Sequence, residues 1–174
     1  ITLEQGFSEL TLNNGVTLVL EAPASLILHS ENRVTLNEGK LVANVPENAI
    51  GFRIDTPSSE IIDLGTEFGV DVSPRGDSQV HVLQGLVKAR ADNSQIFQHI
   101  EKDQALAFSL SNQVEKITSN PKEFMRVLPG KSAVQPNYLH WSFDDKSNQQ
   151  FSSINQGISD YNYPAYDRSD NQPI

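Results

Sequence analysis

Apolar and polar positions alternate along most of the first 110 residues, and turn residues interrupt the alternation. In Val16-Thr17-Leu18-Val19-Leu20, the residues Val16, Leu18 and Leu20 share one side, the period-two signature of a strand with one buried face. The same alternation returns at Phe52 and Ile54, at Phe68, Val70 and Val72, and at Val80 and Val82. No stretch of this region sustains the ~3.6-residue period of an amphipathic helix. Leu10 and Leu12 precede Asn14-Gly15. An Asn-Gly between two alternating runs predicts a tight hairpin with φ > 0 at both turn positions.

A short pattern recurs. Leu10-x-Leu12-x-x-Gly15 is echoed by Val34-x-Leu36-x-x-Gly39 and by Val80-x-Val82-x-x-Gly85, and the last two copies stay in step through Leu41 and Val87, then Ala43 and Ala89. Each copy reads as a strand, a glycine turn and a return strand, with one apolar face that must stack on another. The predicted architecture is all-β, a rolled or solenoid-like stack of short antiparallel hairpins. A jelly-roll sandwich fits the same strand spacing.

The pattern changes after Phe108. Pro121 to Val127 predicts a short helix with proline in its first turn, and Pro129-Gly130 ends it. Residues 131–136 read as a linker. Leu139, Trp141 and Phe143 then share one face of a new predicted strand, and the remainder is rich in Asn, Gln, Ser and Asp, with Tyr161, Tyr163 and Tyr166 standing out. The expected division is a β domain over 1–118, a helix and linker over 119–137, and the start of a further unit over 138–174.

Composition narrows the possible functions. With 37% hydrophobic residues the chain can bury one core of moderate size. A net charge of −9 repels phosphate backbones and argues against nucleic acid as a partner. Cysteine is absent, which removes disulfides, thiol nucleophiles and thiolate zinc sites. No segment approaches the ~20 apolar residues of a membrane-spanning helix, and no secretory signal is visible. The chain starts at Ile1 and enters an alternating pattern at once, so it is expected to be a piece of a longer protein.

The densest motif is Thr56-Pro57-Ser58-Ser59-Glu60-Ile61-Ile62-Asp63-Leu64-Gly65-Thr66-Glu67-Phe68-Gly69-Val70. It resembles the core of the FecR domain, the extracytoplasmic module of bacterial sigma-factor regulators. The resemblance extends over roughly residues 6–110, through Gly15 to Ala24, Val34 to Pro46, Gly51 to Pro57 and Val80 to Val87. It makes Thr56, Pro57, Asp63, Leu64, Gly65, Thr66, Glu67, Phe68 and Gly69 the family motif, with a structural role. It implies a module outside the cytoplasmic membrane, periplasmic or at the cell surface, that relays a signal between an envelope protein and a sigma factor. Leu139-His140-Trp141-Ser142-Phe143-Asp144 resembles the first strand of a laminin-G-like, concanavalin-type lectin domain. Glycan binding would fall to the rest of that domain.

No residues assemble into a recognisable catalytic motif. Glu60, Asp63 and Glu67 surround Gly65 and could be a calcium site or a carboxylate pair, but turn capping by Asp63 and an arginine partner for Glu67 account for them more simply. His29, His81, His99 and His140 lack metal-pair spacing, and His81, between Val80 and Val82, is expected to face solvent. Ser58 and Ser59 read as turn residues. Gly65, Gly69 and Gly85 are expected at bulges or positive-φ turns, with close approach of another strand as the rival reading. Trp141 and Phe143 read as core residues rather than a sugar platform. No enzyme activity, metal or cofactor is therefore expected. The expected partner is an envelope protein, either a receptor or a second copy, held by strand addition. The hairpin carrying Val80, Val82, Gly85 and Val87 is the candidate edge. A structural or adhesive surface protein is the rival reading.

Overall fold

The computed structural model describes residues 1–128 together with the backbone of two short strands, Leu139–Ser142 and Ser152–Ser153. The strands are β1 (Thr2–Leu3), β2 (Phe7–Thr11), β3 (Thr17–Ser30), β4 (Arg33–Asn44), β5 (Arg53–Asp55), β6 (Ser59–Asp63), β7 (Glu67–Val72), β8 (Ser78–Gln84), β9 (Leu86–Ala91), β10 (Gln98–Glu101), β11 (Gln104–Phe108), β12 (Val114–Thr118), β13 (Leu139–Ser142) and β14 (Ser152–Ser153). All of them belong to one hydrogen-bonded sheet, which rolls over so that two walls share a core. The all-β rolled architecture expected from the alternation is the one found.

The first wall runs β2, the start of β3, the end of β4, β7, β8, β11 and β12. The second runs β1, the end of β3, the start of β4, β5, β6, β9 and β10. The long strands β3 and β4 belong to both. Their register shifts between Glu21 and Ser25, and there β4 carries Gly39 at φ +101°. A Cβ on Gly39 would fall 2.4 Å from the Pro23 carbonyl oxygen. Only glycine lets the two strands cross this closely while they bend from one wall to the other.

The inward residues of both walls meet in a single cluster that includes Leu18, Leu20, Leu41, Phe68, Val80 and Val82 from the first wall and Val34, Leu36, Ile54, Ile61, Val87 and Ile100 from the second. Phe52, Phe68 and Phe108 are its largest fully buried side chains. A fully buried side chain of this size contributes about 1.5–3 kcal/mol.

Three hairpins of the first wall use one turn design. Gly15, Gly76 and Asn112 have φ of +87°, +91° and +62°, and each closes a three-residue loop. The loops are pinned by bonds from Leu12 N–H to the Val16 carbonyl, Ser73 N–H to the Asp77 carbonyl and Ser109 N–H to the Gln113 carbonyl. This corrects the two-residue turn predicted at Asn14-Gly15. Gly15 alone has positive φ, and the Asn14 side chain accepts a hydrogen bond from the Val16 N–H.

The repeat is corrected as well. Its first copy is a hairpin, β2 with β3. In the second, Gly39 bends a continuous strand. In the third, Gly85 (φ +85°) passes the chain from β8 in the first wall to β9 in the second, and the two strands do not pair. The helix predicted over 121–127 contracts to a single 3-10 turn, Pro121–Glu123, after which Phe124 is extended. The strand predicted near 139 is present as β13, paired parallel to β2 and antiparallel to β14. Phe143, Tyr161, Tyr163 and Tyr166 lie outside the described residues, as does the side chain of Trp141.

Candidate functional site

The turn motif is held by its own polar side chains. Thr56, Ser58 and Ser59 are buried with Ser78 from the start of β8. Ser78 Oγ lies 2.8 Å from Ser58 Oγ, 2.9 Å from Ser59 Oγ and 3.2 Å from Thr56 Oγ1. Thr56 Oγ1 also accepts the Ser59 N–H at 2.9 Å. The four hydroxyls satisfy one another in the core and tie the β5–β6 turn of the second wall to β8 of the first. Ser58 and Ser59 are thus turn and tie residues.

The acidic residues of the motif do not converge. Asp63 is fully buried and caps its own turn, accepting the Gly65 N–H at 2.7 Å and the Thr66 hydroxyl. Burial pushes its carboxyl up to about 6, against the lowering effect of the backbone N–H groups of Gly65, Thr66 and Leu64. Leu64 N–H reaches across to the Leu86 carbonyl. Glu60 lies between Arg53 and Arg90, and Glu67 is paired with Arg126. Among the described residues no three His, Asp or Glu side chains are placed to hold one metal ion. An open cleft of about 380 Å³ at the ends of β7, β8, β11 and β12 has Asp71, Asp77 and Glu115 on its lining.

The candidate edge from Val80 to Val87 is not an edge. Strand β8 lies between β7 and β11, and β9 lies between β6 and β10. Val80, Val82 and Val87 are fully buried, and the Gly85 carbonyl accepts the Lys102 N–H. The alternation identified these residues as strand, but it could not show how many neighbours each strand has. Among the described residues, β12 and β10 each have a strand partner on one side only.

The outer faces of the two walls are finished differently. On the second wall the outward side chains form a ladder of alternating charge. Asp55 accepts from Arg33 at 2.7 Å and from Arg53 at 2.6 Å, Arg53 reaches Glu60 at 2.9 Å, and Glu60 also pairs with Arg90. Phe97 lies under Lys88 and Arg90, 5.3 and 4.8 Å from the ring centre.

On the first wall the register sets Val19, Val42, Gly69 and His81 side by side across β3, β4, β7 and β8. This row is covered by the segment that follows β12. Phe124 is buried against Val19, Val42 and Leu83, with Met125 and Leu128 packed around it. Gly69 has no positive φ. Its place is explained by space, because a Cβ there would fall 2.5 Å from the Phe124 ring. Close approach, not turn geometry, accounts for this glycine, and the approaching group is a ring rather than a strand.

The His81 ring lies 5.0 Å from that of Phe124, and its residue is 2% exposed, which corrects the solvent-facing expectation. Its Nδ1 accepts the Asn120 N–H at 3.2 Å, while Nε2 faces Gln79 Oε1 at 3.2 Å. Burial holds its pKa below the usual 6.5, opposed by Glu123 and Asp71 and aided by Lys40. Lys40 itself stands 5.9 Å above the Phe124 ring and 3.8 Å from Asp71. Arg126 completes the contact with paired bonds to Glu67, its Nε at 2.8 Å from Oε1. A sequence signal for this site existed in the apolar residues at outward positions, Val19, Val42 and Leu83. Period-two reading assigns only one face to the core, so it left them unexplained.

Comparison with known proteins places the fold. Two crystal structures of a candidate anti-sigma factor from Parabacteroides distasonis ATCC 8503 share it, at 20% and 19% identity and TM-scores of 0.59 and 0.57. Each match covers 70% of this chain and 60% of that one, so the chain spans about three fifths of their length. No curated protein matches. A family model described as FecR protein matches residues 1–88, which includes β1 to β8, the Asp63 turn and Gly69. That match extends over half of the sequence, and the chain belongs to the FecR family.

Proposed function

We propose that this chain is a non-enzymatic protein-interaction module of the FecR type. It would act outside the cytoplasmic membrane, in the periplasm or at the cell surface, and relay an envelope signal to a sigma-factor system. The observation that carries this reading is the family match over residues 1–88. The engaged state of the polar groups agrees with it, since Glu60, Asp63, Glu67 and the hydroxyl cluster all bond within the fold.

A partner that adds a strand would do so at β12, which has β11 on one side. The mixed charges Glu115 and Lys116 on β12 guard that edge against unselective pairing. Within this reading residues 1–118 are the interaction module, 119–137 the connection and 138–174 the start of a lectin-like unit. Any glycan recognition by the parent protein would fall to that unit. Strand β13 pairs with β2, so that unit would be joined to the module through the backbone.

The test is an in-frame deletion of the codons for residues 1–128 from the parent gene, followed by transcript profiling. Altered expression confined to genes under one alternative sigma factor supports the reading. Unchanged sigma-dependent transcription defeats it. Light scattering on the purified chain addresses the rival, because concentration-dependent ordered multimers would favour a surface-assembly protein.

A further inference from the structure

The segment 119–128 is bound to the first wall as a peptide ligand would be. It adds no strand to the sheet. Its described hold consists of the Phe124 ring over Gly69, the Arg126–Glu67 pair, the Asn120 bond to His81, and the flanking Met125 and Leu128. The fit is incomplete, because the Ser119 hydroxyl is buried with no hydrogen-bond partner among the described residues. The seat lies in β3, β4, β7 and β8, inside the residues matched by the family model, whereas the occupant lies outside them.

We propose that this seat is a peptide-binding surface, and that 119–128 is an intramolecular strap competing for it. The partner that fits is an extended segment carrying an aromatic side chain followed two positions later by arginine. The ring would enter the notch that Gly69 leaves open, and the guanidinium would pair with Glu67 in the bidentate geometry that arginine provides. A lysine would lose the second bond. The tethered strap enjoys a high effective concentration, so a partner in trans binds only when it matches the strap well or when the strap is weakened. The proposal stands whether or not the module serves a sigma factor.

The experiment uses the full 174-residue chain, isotope-labelled, and a synthetic peptide of residues 117–128. Arg126→Glu is the first variant, since Arg126 is half exposed and its replacement sets like charges against Glu67 without touching the core. The peptide is expected to shift the Val42, Gly69 and Leu83 amide signals of this variant at concentrations at least about tenfold lower than for the unaltered chain. Peptides with Phe→Ala or Arg→Lys at the strap positions should bind more weakly. Phe124→Ala is the second variant, and its dispersed spectrum serves as the folding control. A folded variant that shows no shifts at these amides overturns the proposal. So does one that responds equally to the Phe→Ala peptide.

Discussion

Phe124 and Gly69 interlock: the ring occupies the space in which any larger residue at 69 would place its Cβ, 2.5 Å away. Real Cβ contacts do not come so close, so one partner must move. Gly69→Ala should therefore unseat the ring and destabilise the fold by about 1–3 kcal/mol. In a Phe124→Ala background the same change should cost little. Urea unfolding of both single variants and the double variant measures the coupling. Fully additive losses would show that the two residues do not share one space.

His81 makes the same contact sensitive to acid. Its Nδ1 accepts an N–H, which only the neutral ring can do, and burial holds the pKa below 6.5. Well above pH 6.5 the ring is neutral in folded and unfolded chains, and the contact is at full strength. As pH falls below that value the unfolded chain takes up the proton first, so stability declines until the folded-state pKa is passed. Thermal unfolding between pH 7.5 and 5 should show the loss. His81→Gln, which retains an acceptor and carries no charge, should remove this component.

Asp63 has the opposite sign. Its carboxyl is raised from 3.8 to about 6 in the fold, so between these values the folded chain holds more protons than the unfolded one. Stability should rise as pH falls from 6 towards 4. Asp63→Asn should abolish that rise while preserving the turn. Asp63→Ala should cost about 1–3 kcal/mol, because it leaves the Gly65 N–H and the Thr66 hydroxyl without their acceptor. Comparing the two variants with His81→Gln at matched pH separates the opposing contributions. A pH profile unchanged in Asp63→Asn would disprove the assignment.

Ser78 is the hub of the buried hydroxyls. Ser78→Ala removes the common partner of Thr56, Ser58 and Ser59 and should cost about 1–3 kcal/mol. Ser111→Ala, on an exposed hairpin, is the control expected to stay within about 0.5 kcal/mol. Differential scanning calorimetry would distinguish them, and equal melting temperatures would contradict the hub role.

The inner face of the roll was legible in the sequence because burial on one side enforces a period of two. Leu18, Leu20, Phe68, Val70, Val80 and Val82 all point into the core as the alternation requires. Gly39 and Gly85 were harder to read. Glycine permits a hairpin turn and a bend in a continuing strand equally well, and the choice depends on pairing with residues far along the chain. The turn at Pro121 shows tertiary contacts overriding local preference. A helix through 127 is consistent with the local sequence, yet the chain extends at Phe124 and seats the ring on Gly69. The strap's seat was legible only as an anomaly, in three apolar residues on the polar side of their strands.

The contrast between the two outer faces gives the ion-pair ladder of one and the apolar seat of the other opposed responses to added salt. The Arg33–Asp55–Arg53–Glu60–Arg90 ladder is partly exposed and weakens as salt screens it. The apolar seat around Phe124 tightens in salts that favour burial, such as sulfate. Added sulfate would thus loosen the ion-pair ladder on one wall while it fastens the apolar contacts of Phe124 on the other.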